Sequence, residues 1–85
     1  MVKVVMYTTR FCPYCVAARR LFETKNVGFE EIRVDQNPEL RQEMRQLSGR
    51  TSVPQIFIDG RHVGGFTDAL NLDRSGELDE LLGSD

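Results

Sequence analysis

Val2-Lys3-Val4-Val5-Met6-Tyr7, running on through Thr8-Thr9-Arg10-Phe11 into Cys12-Pro13-Tyr14-Cys15, decides how the rest of the chain is read. The first six residues are nearly all apolar and rich in β-branched side chains, as in a strand buried on both faces. Thr8–Phe11 reads as a loop. Pro13 suits the first turn of a helix, where its missing N–H costs nothing. That helix is expected to run to about Lys25, before Asn26 and Gly28. Cys15, Ala18, Leu21 and Phe22 recur at helical spacing and make its core stripe. Cys15 therefore faces the core, and Cys12 sits at the helix tip near the N-cap.

Working outward, Phe29–Val34 reads as a second strand. Asp35-Gln36-Asn37-Pro38 is a turn that opens a second helix, with Asn37 as N-cap and Pro38 in the first turn. Leu40, Met44 and Leu47 are its expected core stripe, and Ser48-Gly49 ends it. Gln55–Ile58 is a short apolar strand. Asp59-Gly60 is a hairpin turn signal, and Arg61–Val63 returns from it. Gly64-Gly65 breaks that strand. A third helix is expected from about Thr67 to Asp73, then a break at Ser75-Gly76 and a last helical turn or two over Glu77–Leu82. Met6, Met44, Phe29 and Phe57 are expected in the core. His62, Arg19 and Arg20 are expected at the surface.

The order β-α-β-α-β-β-α predicts an α/β fold with a four-stranded mixed sheet flanked by three to four helices. The β-α units favour a parallel strand pair, and the hairpin adds antiparallel strands. A Cys-x-x-Cys just after the first strand of such a pattern reads as a thioredoxin-like redox motif.

The chain has 85 residues, which is one domain, 1–85. Its 11 basic and 13 acidic residues leave a net charge of −2. That balance argues against nucleic acid as a partner, since such proteins carry a positive excess. No apolar run reaches the roughly 20 residues of a membrane span. Met1–Tyr7 is too short for a signal peptide, so a cytoplasmic location is the default expectation. Separately, a monomer is the default oligomeric state. Cys12 and Cys15 are the chain's two cysteines. So close a pair cannot staple a fold. The spacing points to reactive chemistry, with two ordinary buried thiols or half of a zinc site as the other readings. Zinc wants four ligands, and the chain offers the two cysteines plus His62.

Thiol–disulfide exchange needs a thiolate. At a helix N-terminus, unpaired N–H groups and the positive end of the dipole stabilise one. Cys12 is placed there, Arg10 adds nearby positive charge, and Tyr14 flanks the position. Cys12 is thus the expected nucleophile and Cys15 the thiol that resolves the mixed disulfide. Ser52-Val53-Pro54 precedes a strand. A cis bond at Pro54 would turn the Val53 backbone outward to pair with an extended peptide; a plain strand-start proline is the other reading. In Gly64-Gly65-Phe66-Thr67-Asp68, the third helix starts with N–H groups suited to a carboxylate. Asp68 either receives an ammonium group or caps the helix.

Together, Tyr7, Cys12-Pro13-Tyr14-Cys15, Ser52-Val53-Pro54-Gln55-Ile56-Phe57-Ile58, Gly64-Gly65 with Asp68, and Leu72-Asp73-Arg74-Ser75-Gly76 resemble a small dithiol glutaredoxin over essentially the whole chain. The resemblance implies the thioredoxin fold and glutathione as reductant and co-substrate, with no metal. It implies glutathionylated or disulfide-containing proteins as partners, with ribonucleotide reductase a candidate. It places glutathione along Ser52, Val53 and Pro54, its γ-glutamyl end at Gly65, Thr67 and Asp68, its sulfur beside Tyr14 and its glycine carboxylate at Arg41. The chain departs from the pattern in carrying Thr9 where many members have lysine, Ser52 where threonine is usual, and Phe66 where some have a third cysteine. Two other readings compete. A thioredoxin reduced by a flavoenzyme would usually show Trp-Cys-Gly-Pro-Cys, and this chain has no tryptophan. A protein binding an iron–sulfur cluster between two chains would usually lack Pro13 or Cys15.

Overall fold

The computed structural model of the chain describes residues 2–83. Its elements are β1 (Val4–Thr8), α1 (Pro13–Thr24), β2 (Glu30–Arg33), α2 (Pro38–Ser48), β3 (Gln55–Ile58), β4 (Arg61–Gly64), α3 (Phe66–Ser75) and α4 (Glu77–Leu81). The strands form one sheet in the order β2-β1-β3-β4. β1 runs parallel to β2 and antiparallel to β3, and β4 is antiparallel to β3. This is the mixed four-stranded sheet the sequence predicts, with β1 shifted toward Thr8 and α3 one turn longer than Thr67–Asp73.

The strand pleat sorts the core into two layers. Val4 and Met6 of β1, with Ile56 and Ile58 of β3, meet Ala18 and Phe22 of α1, Ala69 of α3 and Leu78 of α4. Tyr7 and Phe57 face the other way, toward Val34, just after β2, and toward Met44 of α2. Tyr7 also donates its hydroxyl proton to Glu43 Oε2 at 2.8 Å, tying α2 to the central strand. Burial and that neighbouring carboxylate push the phenol up to about 12. Lys25, just after α1, pairs with Asp73 of α3 and with Asp79 of α4 at 2.9 Å.

Local signals act as expected. Asn37 accepts a hydrogen bond from Glu39 N–H at 2.8 Å and caps α2, with Pro38 next to it. Asp59 and Gly60 both take positive φ in the tight β3–β4 turn. Two expectations fail. Leu47 is not part of the core stripe: it is 57% exposed. It lies in the last turn of α2, where the cleft between it, Val5, Phe57 and His62 stays open to solvent. Nor is His62 a solvated surface residue. It is paired with Phe57 across β3–β4, so its ring lies 5.0 Å from the Phe57 ring.

Candidate active site

Cys12 is the N-cap of α1, and Pro13 opens the helix. The Cys12 Sγ accepts a hydrogen bond from the Cys15 N–H at 3.3 Å, one of the donors that a helix start leaves free. Its other neighbour is the Val53 carbonyl, 3.7 Å away. Both cysteines are free thiols. They differ sharply in setting: Cys12 is half-buried, whereas Cys15 is 0% exposed. Burial first, then the hydrogen bond with Cys12, pushes the Cys15 thiol up to about 12. It therefore stays protonated at neutral pH, and its alkylation should be slow from pH 6 to 9. Iodoacetamide added to the native reduced protein is expected to place one label per chain, on Cys12, by peptide mass mapping. Equal labelling of both cysteines would contradict this.

The loop before Cys12 is anchored through the Arg10 N–H, which donates to Asp35 Oδ2 at 3.0 Å. Asp35 is also gripped at both oxygens by Arg33, and these partners hold its carboxyl down at about 2. The Arg10 guanidinium lies over the Phe11 ring, 5.1 Å from its centroid. Phe11 is 85% exposed and Tyr14 62%. The Tyr14 ring leans toward Phe66 at 6.5 Å, which joins the start of α1 to the start of α3.

The Val53–Pro54 peptide bond is cis. Among the described residues nothing accepts a hydrogen bond from the Val53 N–H. Across the site, Gly65 is the N-cap of α3. Its N–H donates to Asp68 Oδ2 at 2.9 Å, so Asp68 does cap the helix. The same oxygen accepts from Arg50 Nη1 at 2.9 Å. These donors hold the Asp68 carboxyl below its ordinary range. Thr67 stands exposed in the first turn. Arg41 lines an open groove of about 840 Å³ with Asp35, Arg45, Arg50 and Thr51.

The structure thus brings Cys12, Cys15, Pro13, Tyr14 and Val53 together, with Gly65, Thr67 and Asp68 at the start of α3, and sets Arg41 on the neighbouring groove. Sequence reading missed Arg50. Its partner lies eighteen positions away, and no local pattern marks such a pair. Reading also missed the chain of hydrogen bonds from His62 to Gln55 to Ser52. Among the described residues no cluster of three or more His, Cys, Asp or Glu could hold a metal ion.

A sheet of this topology with two thiols at the first helix's start defines a thiol–disulfide oxidoreductase of thioredoxin fold. Residues 4–63 match the glutaredoxin family model, and the chain belongs to the glutaredoxin family. It is 58% identical over 83 residues to a glutaredoxin of Neisseria meningitidis, covering 96% of this chain and 98% of the relative. It is 50% identical over 82 residues to glutaredoxin 3 of Escherichia coli K12, covering 96% and 99%. The fold superposes on a buckwheat glutaredoxin–glutathione complex with a TM-score of 0.88 at 28% identity, over 94% of this chain and 76% of that one.

Proposed function

We propose that this protein is a glutathione-dependent reductant of glutathione mixed disulfides and protein disulfides, with Cys12 as nucleophile and Cys15 as resolving thiol. The observation that carries this reading is the 3.7 Å contact of Cys12 Sγ with the Val53 carbonyl. It sets the thiol against the backbone just before β3, where the Val53 N–H is free, in a family whose buckwheat member has been solved with glutathione bound. In the one-thiol branch, Cys12 thiolate attacks the glutathione sulfur of a mixed disulfide. The S–S bond between glutathione and the protein breaks, and the protein leaves as a thiolate that takes up a proton. A second glutathione thiolate then attacks the glutathione sulfur held on Cys12, forming glutathione disulfide and returning Cys12. In the two-thiol branch, Cys12 opens a protein disulfide, Cys15 displaces the protein from Cys12, and two glutathiones reduce the new Cys12–Cys15 bond.

In this reading glutathione lies along Ser52, Val53 and Pro54, with its backbone paired to Val53. Its γ-glutamyl carboxylate meets the free Thr67 N–H in the first turn of α3, beside Gly65, whose own N–H is held by Asp68. Its ammonium meets Asp68, whose Oδ1 accepts from no described residue. Arg41 takes the glycine carboxylate, Tyr14 covers the sulfur, Pro13 shapes the helix start, and Arg10 contributes positive charge. We also propose that residues 1–85 act as one domain and as a monomer, in the reducing cytoplasm, where such thiols stay reduced. No helix among the described residues is long and apolar enough to cross a membrane. Glutathionylated or disulfide-bearing proteins are the partners, ribonucleotide reductase a candidate among them.

The test is turnover of a glutathionylated peptide with glutathione as the sole reductant, beside a flavoenzyme thioredoxin reductase as the sole reductant. Turnover is expected with glutathione, and Arg41→Ala should raise KM by about 3- to 10-fold, as loss of a charge-assisted bond implies. Reduction by the flavoenzyme alone would overturn the glutathione reading.

A further inference from the structure

We infer that Gln55 and His62 are positioning residues that fix the Ser52–Val53 peptide plane and so aim the Val53 N–H at the bound glutathione backbone. The inference rests on the reading of Val53 as the glutathione platform, and deepens it.

Gln55 is the first residue of β3, directly after Pro54, and is 0% exposed. Its side chain lies on the sheet face shared with Phe57, two positions on. Its Nε2 donates to the Ser52 carbonyl at 3.0 Å and is 3.2 Å from the Ser52 hydroxyl oxygen. With both amide protons directed at Ser52, Oε1 is left as the acceptor. His62 Nε2 stands 2.7 Å from that oxygen and must be the donor. The imidazole is held in place by the Phe57 ring beneath it. Burial, and then the Arg50 charge, lower the His62 pKa. The neutral ring with its proton on Nε2 satisfies this geometry as well as the cation does. Every polar atom of the buried amide is thereby used, and all of its bonding is spent on one neighbour on each side.

The Ser52 carbonyl and the Val53 N–H belong to one peptide unit. That unit is planar and, unlike Val53–Pro54, trans, so its C=O and N–H point in opposite directions. Pinning the carbonyl toward Gln55 therefore turns the N–H away from the sheet, where no described residue meets it. The chain His62–Gln55–Ser52 sets this direction before any substrate arrives. A donor held ready binds more tightly than one that must first be ordered. An apolar residue in place of Gln55 would fill the same core space and leave the peptide plane free to rotate.

The experiment uses Gln55→Met, Gln55→Glu, His62→Phe and the double variant Gln55→Met with His62→Phe. Methionine keeps the length and removes the bonds. Glutamate still accepts from His62 but cannot donate to Ser52. Phenylalanine keeps a ring on Phe57 and removes the donor. Each is assayed for turnover of a glutathionylated peptide by glutathione, for melting temperature, and for the Val53 amide resonance in the absence of glutathione. Gln55→Met and Gln55→Glu should raise KM by about 3- to 10-fold, the worth of one to two hydrogen bonds, with kcat within about twofold. His62→Phe should raise KM less. The double variant should be no worse than Gln55→Met, because His62 acts only through Gln55. The Val53 amide should shift in all four.

A fall in kcat at unchanged KM would overturn the inference, as would an unmoved Val53 amide in His62→Phe, whose partly exposed site tolerates change. So would simple addition of the two single effects. If the wild type fails to use glutathione at all, the proposed function falls, while the Val53 amide still reports on the peptide plane.

Discussion

Cys12→Ser should lower glutathione-dependent turnover of a glutathionylated peptide by more than about a thousandfold, since it removes the proposed nucleophile itself. Cys15→Ser should keep that turnover within roughly an order of magnitude of the wild type, because the one-thiol branch never uses Cys15. The same variant should lose reduction of a protein disulfide when glutathione is scarce. The asymmetry follows from the two settings. Cys12 caps a helix, with the Cys15 N–H 3.3 Å from its sulfur. Cys15 is buried, its thiol pushed up to about 12 by burial and by Cys12. Once Cys12 is tied into a mixed disulfide it can no longer carry charge, and the part of that upward push due to Cys12 is relieved. In the proposed mechanism Cys15 is thus held back until the resolving step. Melting curves of both variants separate a folding defect from a chemical one. Loss of mixed-disulfide turnover in a well-folded Cys15→Ser would show that the one-thiol branch does not operate.

Gly64→Ala should destabilise the protein by about 2–4 kcal/mol, the sum of backbone strain and a lost helix cap. Gly64 has φ +119, a region that L side chains rarely adopt. A Cβ there would also stand 2.8 Å from Asp68 Cγ. Asp68 cannot retreat without releasing the Gly65 N–H and Arg50. For a chain of this size the melting temperature should fall by on the order of 10–20 °C. KM for the glutathionylated peptide should rise as well, because the start of α3 moves. An unchanged melting temperature would mean that Asp68 is not held as described.

What the sequence made legible was local. Pro13 and Pro38 at helix starts, the Asn37 cap, the Asp59-Gly60 turn and the Cys-x-x-Cys spacing each act within a few residues, and each stands where it was read. Leu47 was misread because a helical stripe says which side a residue faces, not how far the opposing layer extends. His62 and Arg50 escaped because their partners come from other elements. The bonds from His62 to Gln55, and from Arg50 to Asp68, exist only after β3, β4 and α3 have met. Asp68 shows the limit most clearly. Helix cap and ligand acceptor were weighed as rivals, yet one oxygen serves the cap while the other stays open.

The register of β1 against β3 sets Tyr7 opposite Gln55. That pairing brings Val53 alongside Cys12 from the far side of a long stretch of chain. Until it forms, the two thiols are an isolated dipeptide-spaced pair, with no carbonyl beside Cys12 and no burial to restrain Cys15. A chain still emerging from synthesis, or one that has come undone, would therefore meet oxidants with two thiols of ordinary reactivity. Specific reductase activity begins only when the central strands close, so the assay for activity is also a count of correctly closed molecules.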